Sequence, residues 1–156
     1  MLSIALSPLV RRFTVTDIDA LLPLIRKNLS LNFDSWSTAQ SGLPGSNVYV
    51  EALDWQTLES TTPLFRSRCF SFEPIDLVLV VDCIYHPTLL LPLVETVDFL
   101  ATPGRTAVLV IVELRAEDVI REFLNLWISR KGWEIWRVGG GFLGIPYVMW
   151  LGWKLE

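Results

Sequence analysis

The sequence predicts an α/β fold built on a mostly parallel sheet, and three of its features carry that expectation. Short continuous apolar runs, Leu77–Val81 and Ala107–Val112, suit parallel strands buried on both faces. Segments of helical period stand between such runs, so strands and helices alternate along the chain. The chain then closes on two strand-like stretches joined by glycines, which suits an antiparallel pair at one end of the sheet.

Taken in order, residues 1–6 read as the end of a helix that stops near Pro8. Residues 12–17 form a short strand. Asp17 and Asp19 follow, where acids at a helix N-terminus belong, and Leu21, Leu22, Ile25 and Leu29 recur at helical spacing up to about Asn28–Asn32. Residues 35–46 are rich in Ser, Gly and Pro and read as a loop. A strand over 48–53 leads into Asp54-Trp55. Residues 57–72 read as irregular or partly helical. A buried strand over 75–81 ends at Asp82, and a helix over 88–100 is closed by Pro103-Gly104. Residues 106–113 give another buried strand. The helix expected over 117–130 turns Val119, Ile120, Phe123, Leu124 and Trp127 inward. The last strands cover 133–138 and 146–154.

At 156 residues the chain suits one domain with a sizeable core, and no linker or internal repeat divides it. Its 51% hydrophobic share and mean hydropathy of +0.42 are high for a soluble protein. Net charge is −4 with acids and bases interspersed; without a basic stripe, nucleic acid is not a favoured partner. Cys69 and Cys83 make no disulfide framework, so a reducing, cytoplasmic compartment is expected. No metal-ligand spacing is present. The uncharged run 138–153 is shorter than the ~20 residues a spanning helix needs, and Gly139, Gly140, Gly141, Gly144 and Pro146 interrupt it. A Gly-rich turn feeding a buried strand describes it better than a membrane segment.

The acid at the end of the first strand carries the functional reading. In nucleotide-type cofactor folds such an acid stands about 20 residues after a glycine-rich loop and grips the ribose hydroxyls. Here the acid is Asp17, and no glycine precedes Gly42. Further on, Val80-Val81-Asp82-Cys83-Ile84-Tyr85 contains an Asp-x-x-Tyr motif. Three more motifs accompany it in order: Thr16-Asp17-Ile18 followed by 24–29, Leu53-Asp54-Trp55, and the acid-x-Arg of Glu113-Leu114-Arg115. Together they resemble the seven-β-strand, class I protein lysine methyltransferases, in particular those that methylate valosin-containing protein, chaperones and elongation factors. The resemblance covers nearly the whole chain.

It implies a class I methyltransferase (Rossmann-like) sheet with helices on both faces and strand order 3-2-1-4-5-7-6, and methyl transfer from S-adenosylmethionine to a lysine of a protein substrate, a chaperone or translation factor. By the same resemblance Asp82 holds the lysine amine, Tyr85 walls its channel, Asp17 holds the ribose, Trp55 lies against the adenine and Val81 lines the pocket. The family's first strand and Gly-rich loop would stand just before Met1, so the chain reads as N-terminally truncated. Poor cofactor binding is then expected, restored by about fifty upstream residues, the order of one βα unit with a lead-in.

Each residue also has a plainer role. Asp17 suits a helix cap, Trp55 core, Asp82 and Tyr85 a strand end and its packing, Glu113 and Arg115 a structural pair, His86 a helix start, and Cys83 a small buried hydrophobe. Two other functions remain open: a non-catalytic binding module that dimerises through exposed strands, and a membrane-associated protein using 138–153.

Overall fold

The computed structural model describes residues 2–34, 36, 41–139 and 146–156. The chain divides into two compact units, Met1–Asp54 and Trp55–Glu156. The glycine-rich link expected between the last two strands lies mostly outside the described residues, as does part of the loop expected over 35–46.

The first unit contains helix α1 (Leu2–Leu6), strand β1 (Phe13–Asp17), helix α2 (Leu22–Asn32) and strand β2 (Val48–Ala52). β1 and β2 run parallel, from Phe13 opposite Val48 to Asp17 opposite Ala52. Leu29, Phe33 and Val48 are buried together, with Ile4, Phe13, Val15, Ile25, Trp36 and Val50 packed around them. The Asn47 amide donates to the carbonyls of Ser7 at 2.7 Å and Val10 at 2.8 Å, which ties the segment before β1 to the start of β2. Arg12 lies 3.9 Å over the Tyr49 ring and pairs with Glu51 at 3.0 Å.

The second unit contains helices α3 (Trp55–Ser60) and α4 (Pro63–Cys69), strand β3 (Leu77–Val81), helix α5 (Pro87–Leu100), strand β4 (Ala107–Glu113), helix α6 (Glu117–Ile128) and strands β5 (Trp133–Arg137) and β6 (Tyr147–Lys154). The segment read as partly helical thus holds two short helices. Thr62 caps α4, its hydroxyl accepting from the Phe65 N–H at 3.4 Å, and Pro63 takes the first helical position, where its missing donor costs nothing.

The sheet order is β3-β4-β6-β5, with β3 parallel to β4 and both later pairs antiparallel. α5 supplies Leu90, Leu93, Val94 and Val97 to the core, and α6 supplies Val119, Ile120, Phe123 and Trp127. They pack with Val108, Val110 and Val112, which are at most 1% exposed. Burying each such side chain contributes about 1.5–3 kcal/mol. Trp127 makes a tilted contact with Phe123 and an edge contact with Trp133, at 5.6 and 5.4 Å between centroids. Its indole lies over Gly152, where a Cβ would stand 2.1 Å from the ring. Trp127 Nε1 is buried with no hydrogen-bond partner among the described residues.

Burial on both strand faces holds only in part. In β4 the alternate residues Leu109 and Ile111 are half-buried, and in β3 only Val80 is buried. The cause for β3 is position: among the described residues it pairs with β4 on one side and with no strand on the other. The two sheets repeat the orders 3-2 and 4-5-7-6 of the expected topology.

Candidate functional site

Three neighbouring strands of the second unit finish at one edge of their sheet: the C-terminal ends of β3 and β4 and the N-terminal start of β6. That edge carries the polar groups expected to do chemistry. In open α/β sheets the crevice beyond the carboxyl ends of the strands is where ligands bind.

Asp82 follows β3 directly. Its N–H donates to the Ile111 carbonyl at 2.8 Å, extending the β3–β4 ladder one residue past Val81. The backbone then turns abruptly, because Asp82 has φ 54°, the only left-handed non-glycine among the described residues. That conformation costs an ordinary L-residue about 1–2 kcal/mol, and aspartate is among the few that adopt it. Ile84, at 5% exposed, is drawn into the core and anchors the turn. Asp82 and Tyr85 are thereby left at the surface, Tyr85 at 65% exposure. Cys83 is half-buried, its thiol 3.3 Å from the Val81 carbonyl. His86 directly precedes α5, and its Nδ1 lies 2.9 Å from the Thr88 hydroxyl.

On β4, Glu113 stands opposite Tyr147, the first residue of β6. The Arg115 guanidinium meets one Glu113 oxygen side-on, Nε at 2.6 Å and Nη2 on the same atom. The Glu113 hydrogen bond, then its charge, raises the Arg115 pKa; burial opposes this weakly, and Asp82 and Tyr147 add smaller upward contributions. Arg115 therefore remains a cation, and its field reaches Asp82.

The other expected residues sit at strand or helix ends. Val81 closes β3, half-buried, opposite Ile111. Trp55 opens α3, partly buried against the large core and partly open. In the first unit, Asp17 closes β1. Its backbone carbonyl accepts from Leu53 N–H at 2.9 Å, and Oδ1 accepts from Ile18 N–H at 2.8 Å. Asp17 caps no helix: the residues flanking the 3₁₀ turn Asp19–Leu21 and α2 are Ile18 and Leu21, with no side-chain cap bond. Its Oδ2 has no partner among the described residues. Tyr147 was not anticipated from the sequence, since its place opposite Glu113 depends on the register of strands far apart in the chain.

A model of the lysine methyltransferase family matches residues 2–129. The chain belongs to this lysine methyltransferase family. Among curated proteins it is 35% identical over 124 residues to a diaminohydroxyphosphoribosylamino-pyrimidine deaminase of Schizosaccharomyces pombe, a match covering 78% of this chain and 26% of that protein. It is 34% identical over 114 residues to secreted RxLR effector protein 48 of Plasmopara viticola, covering 70% of this chain and 56% of that one. The chain thus spans about a quarter and about half of the lengths of these two relatives. Among solved structures, the O-methyltransferase from Bacillus cereus in complex with SAH superposes with a TM-score of 0.55 at 14% identity, over 93% of this chain and 63% of that one. That likeness shows the class I methyltransferase fold. The cofactor of this lysine methyltransferase family is S-adenosylmethionine. Taken singly, Asp17 in the first unit keeps one carboxylate oxygen without a partner among the described residues, and Trp55 in the second is only partly buried.

Proposed function

We propose that the protein transfers a methyl group from S-adenosylmethionine to a lysine side chain of a protein substrate. One observation carries the reading: within a lysine methyltransferase family, an exposed Asp82 is held in a left-handed turn at the end of β3, three residues before an exposed Tyr85.

A lysine amine, with an ordinary pKa of about 10.4, must shed its proton before it can act as a nucleophile. The Asp82 carboxylate binds the arriving ammonium and holds the amine once its proton has passed to solvent. Tyr85 walls the approach and offers its hydroxyl. The bound cofactor supplies an already activated methyl group, so alignment and exclusion of water matter more than acid–base power. Asp17 would take the ribose hydroxyls of a bound cofactor, Trp55 would lie against its adenine, and Val81 would line its pocket. Chaperones and translation factors of the cytoplasm are the substrate class proposed, in keeping with Cys69 and Cys83 standing in no disulfide.

The test is transfer of labelled methyl from S-adenosylmethionine to a candidate protein, with a thermal melt run alongside. Asp82→Asn is expected to lower kcat by ~10²–10⁴ from the parent's level, the range for loss of a positioned proton-handling group, and to leave the melting-temperature response to cofactor the same as the parent's. Full activity in Asp82→Asn refutes the assigned role.

A second reading is favoured by the open edges of β1 and β3, each paired on one side only among the described residues. Apolar strand edges of this kind recruit further strands. On that reading the protein is a non-catalytic module that dimerises through them. A dimer in sedimentation velocity, together with a melt unmoved by cofactor, selects it.

A further inference from the structure

The edge that carries Asp82 also holds a fixed positive charge and three exposed apolar or aromatic surfaces. Tyr85 is 65% exposed, Leu114 48% and Tyr147 48%, and the Arg115 side chain is 69% exposed while its partner Glu113 is 21% exposed. Tyr and Arg are the residues enriched where proteins dock. Glu113 engages the Nε/Nη2 side of the guanidinium, and Nη1 has no acceptor among the described residues. Continuing the β3–β4 register sets Asp82 beside Val112. Arg115 comes three residues after Val112, at most roughly 10 Å further along the strand and so at most roughly 11 Å from Asp82. The chain folds back there, with Arg115 N–H donating to the Glu113 carbonyl at 2.8 Å.

We propose that this edge docks an extended polypeptide whose target lysine is accompanied, within three residues, by an aspartate or glutamate, with Arg115 as the residue that selects the acid. The inference rests on the lysine methyl-transfer reading and adds a substrate sequence to it. Charge complementarity commits the occupant. Asp82 takes the lysine cation and Arg115 the neighbouring anion, while Tyr85, Leu114 and Tyr147 supply contact area between them. A lysine in a wholly basic segment meets Arg115 as a like charge. Glu113 aims the guanidinium and is a positioning residue.

The test is fluorescence anisotropy on the full chain, with short labelled peptides carrying one lysine and an Asp, an Ala or an Arg three residues away. Binding to the Asp peptide is expected to be about threefold to fivefold tighter than to the Ala peptide, the scale of a solvent-accessible ion pair, and to weaken with salt. Arg115→Ala should abolish the difference, and Arg115→Glu should reverse it in favour of the Arg peptide. Circular dichroism verifies that both variants are folded, as expected for changes at an exposed side chain. An unchanged preference in Arg115→Glu overturns the inference. If lysine-dependent binding then still falls in Asp82→Asn, the lysine reading stands without it. If the lysine peptides bind no better than their Lys→Ala controls, both fail.

Discussion

Asp82 combines two demands in one side chain. On the proposed function its carboxylate is needed at the edge of the sheet, and its backbone must sit at φ 54° so that the chain turns away and buries Ile84. The two demands separate by mutation. Asp82→Ala keeps a Cβ in the left-handed region and is expected to lower stability by about 1 kcal/mol. Asp82→Gly removes that strain, but gives the unfolded chain about 0.4–1 kcal/mol of extra entropy, so its melting temperature should stay close to that of the parent. Both should lose lysine-peptide binding. A glycine variant that melts well below the alanine variant contradicts this account. The Asp-x-x-Tyr spacing marked Asp82 and Tyr85 as candidates in the sequence. The left-handed turn was not, since it follows from where β3 stops against β4. Asp17 was legible as an acid ending a strand, but its partner, the Ile18 N–H, was not.

At the scale of elements, the helix α6 was the most legible because its inward residues repeat at helical spacing, and Val119, Ile120, Phe123 and Trp127 are all buried. What they meet was not legible. Gly152 lies in a segment read only as a strand, yet it is the notch that admits the Trp127 indole. Gly152→Ala forces a Cβ into that ring within a packed core, and overpacking of this kind costs typically ~1–3 kcal/mol. A denaturant titration should show the lower midpoint, and an unchanged midpoint would mean the indole moves aside freely. Thr106 is a second hidden device. Fully buried, its hydroxyl donates to the Ile75 carbonyl at 2.7 Å and accepts from the Thr102 N–H at 3.0 Å, tying the start of β4 to the approach to β3. Both contacts cross turns whose shape no local pattern announces. The Thr-Pro start of α4 was a signal present in the sequence, which the reading of that stretch as irregular or partly helical did not use to place the helix.

At the scale of the whole molecule, alternation of strand and helix was sufficient to give the fold class, because each element is short and bounded by its own turn residues. The pairing of strands was not, because hydrogen bonds between distant segments leave no local trace. The orders β2-β1 and β3-β4-β6-β5 were expected through the family resemblance alone, not from local pattern. Two compact units raise the question of whether they unfold together. Coincident transitions by far-ultraviolet circular dichroism and by tryptophan emission are the outcome expected of a single cooperative fold. Separated midpoints would mean that the units melt independently.

The indole of Trp127 gives that comparison its resolving power. Pressed on Gly152, away from water and with no acceptor for its N–H among the described residues, it is a chromophore in a nearly hydrocarbon environment, and its emission should lie far to the blue of the half-exposed Trp136. Six of the seven tryptophans belong to residues 55–156, so the protein's intrinsic light reports almost entirely on the second unit. The colour of that light is therefore a built-in gauge of whether the core behind Asp82 is closed.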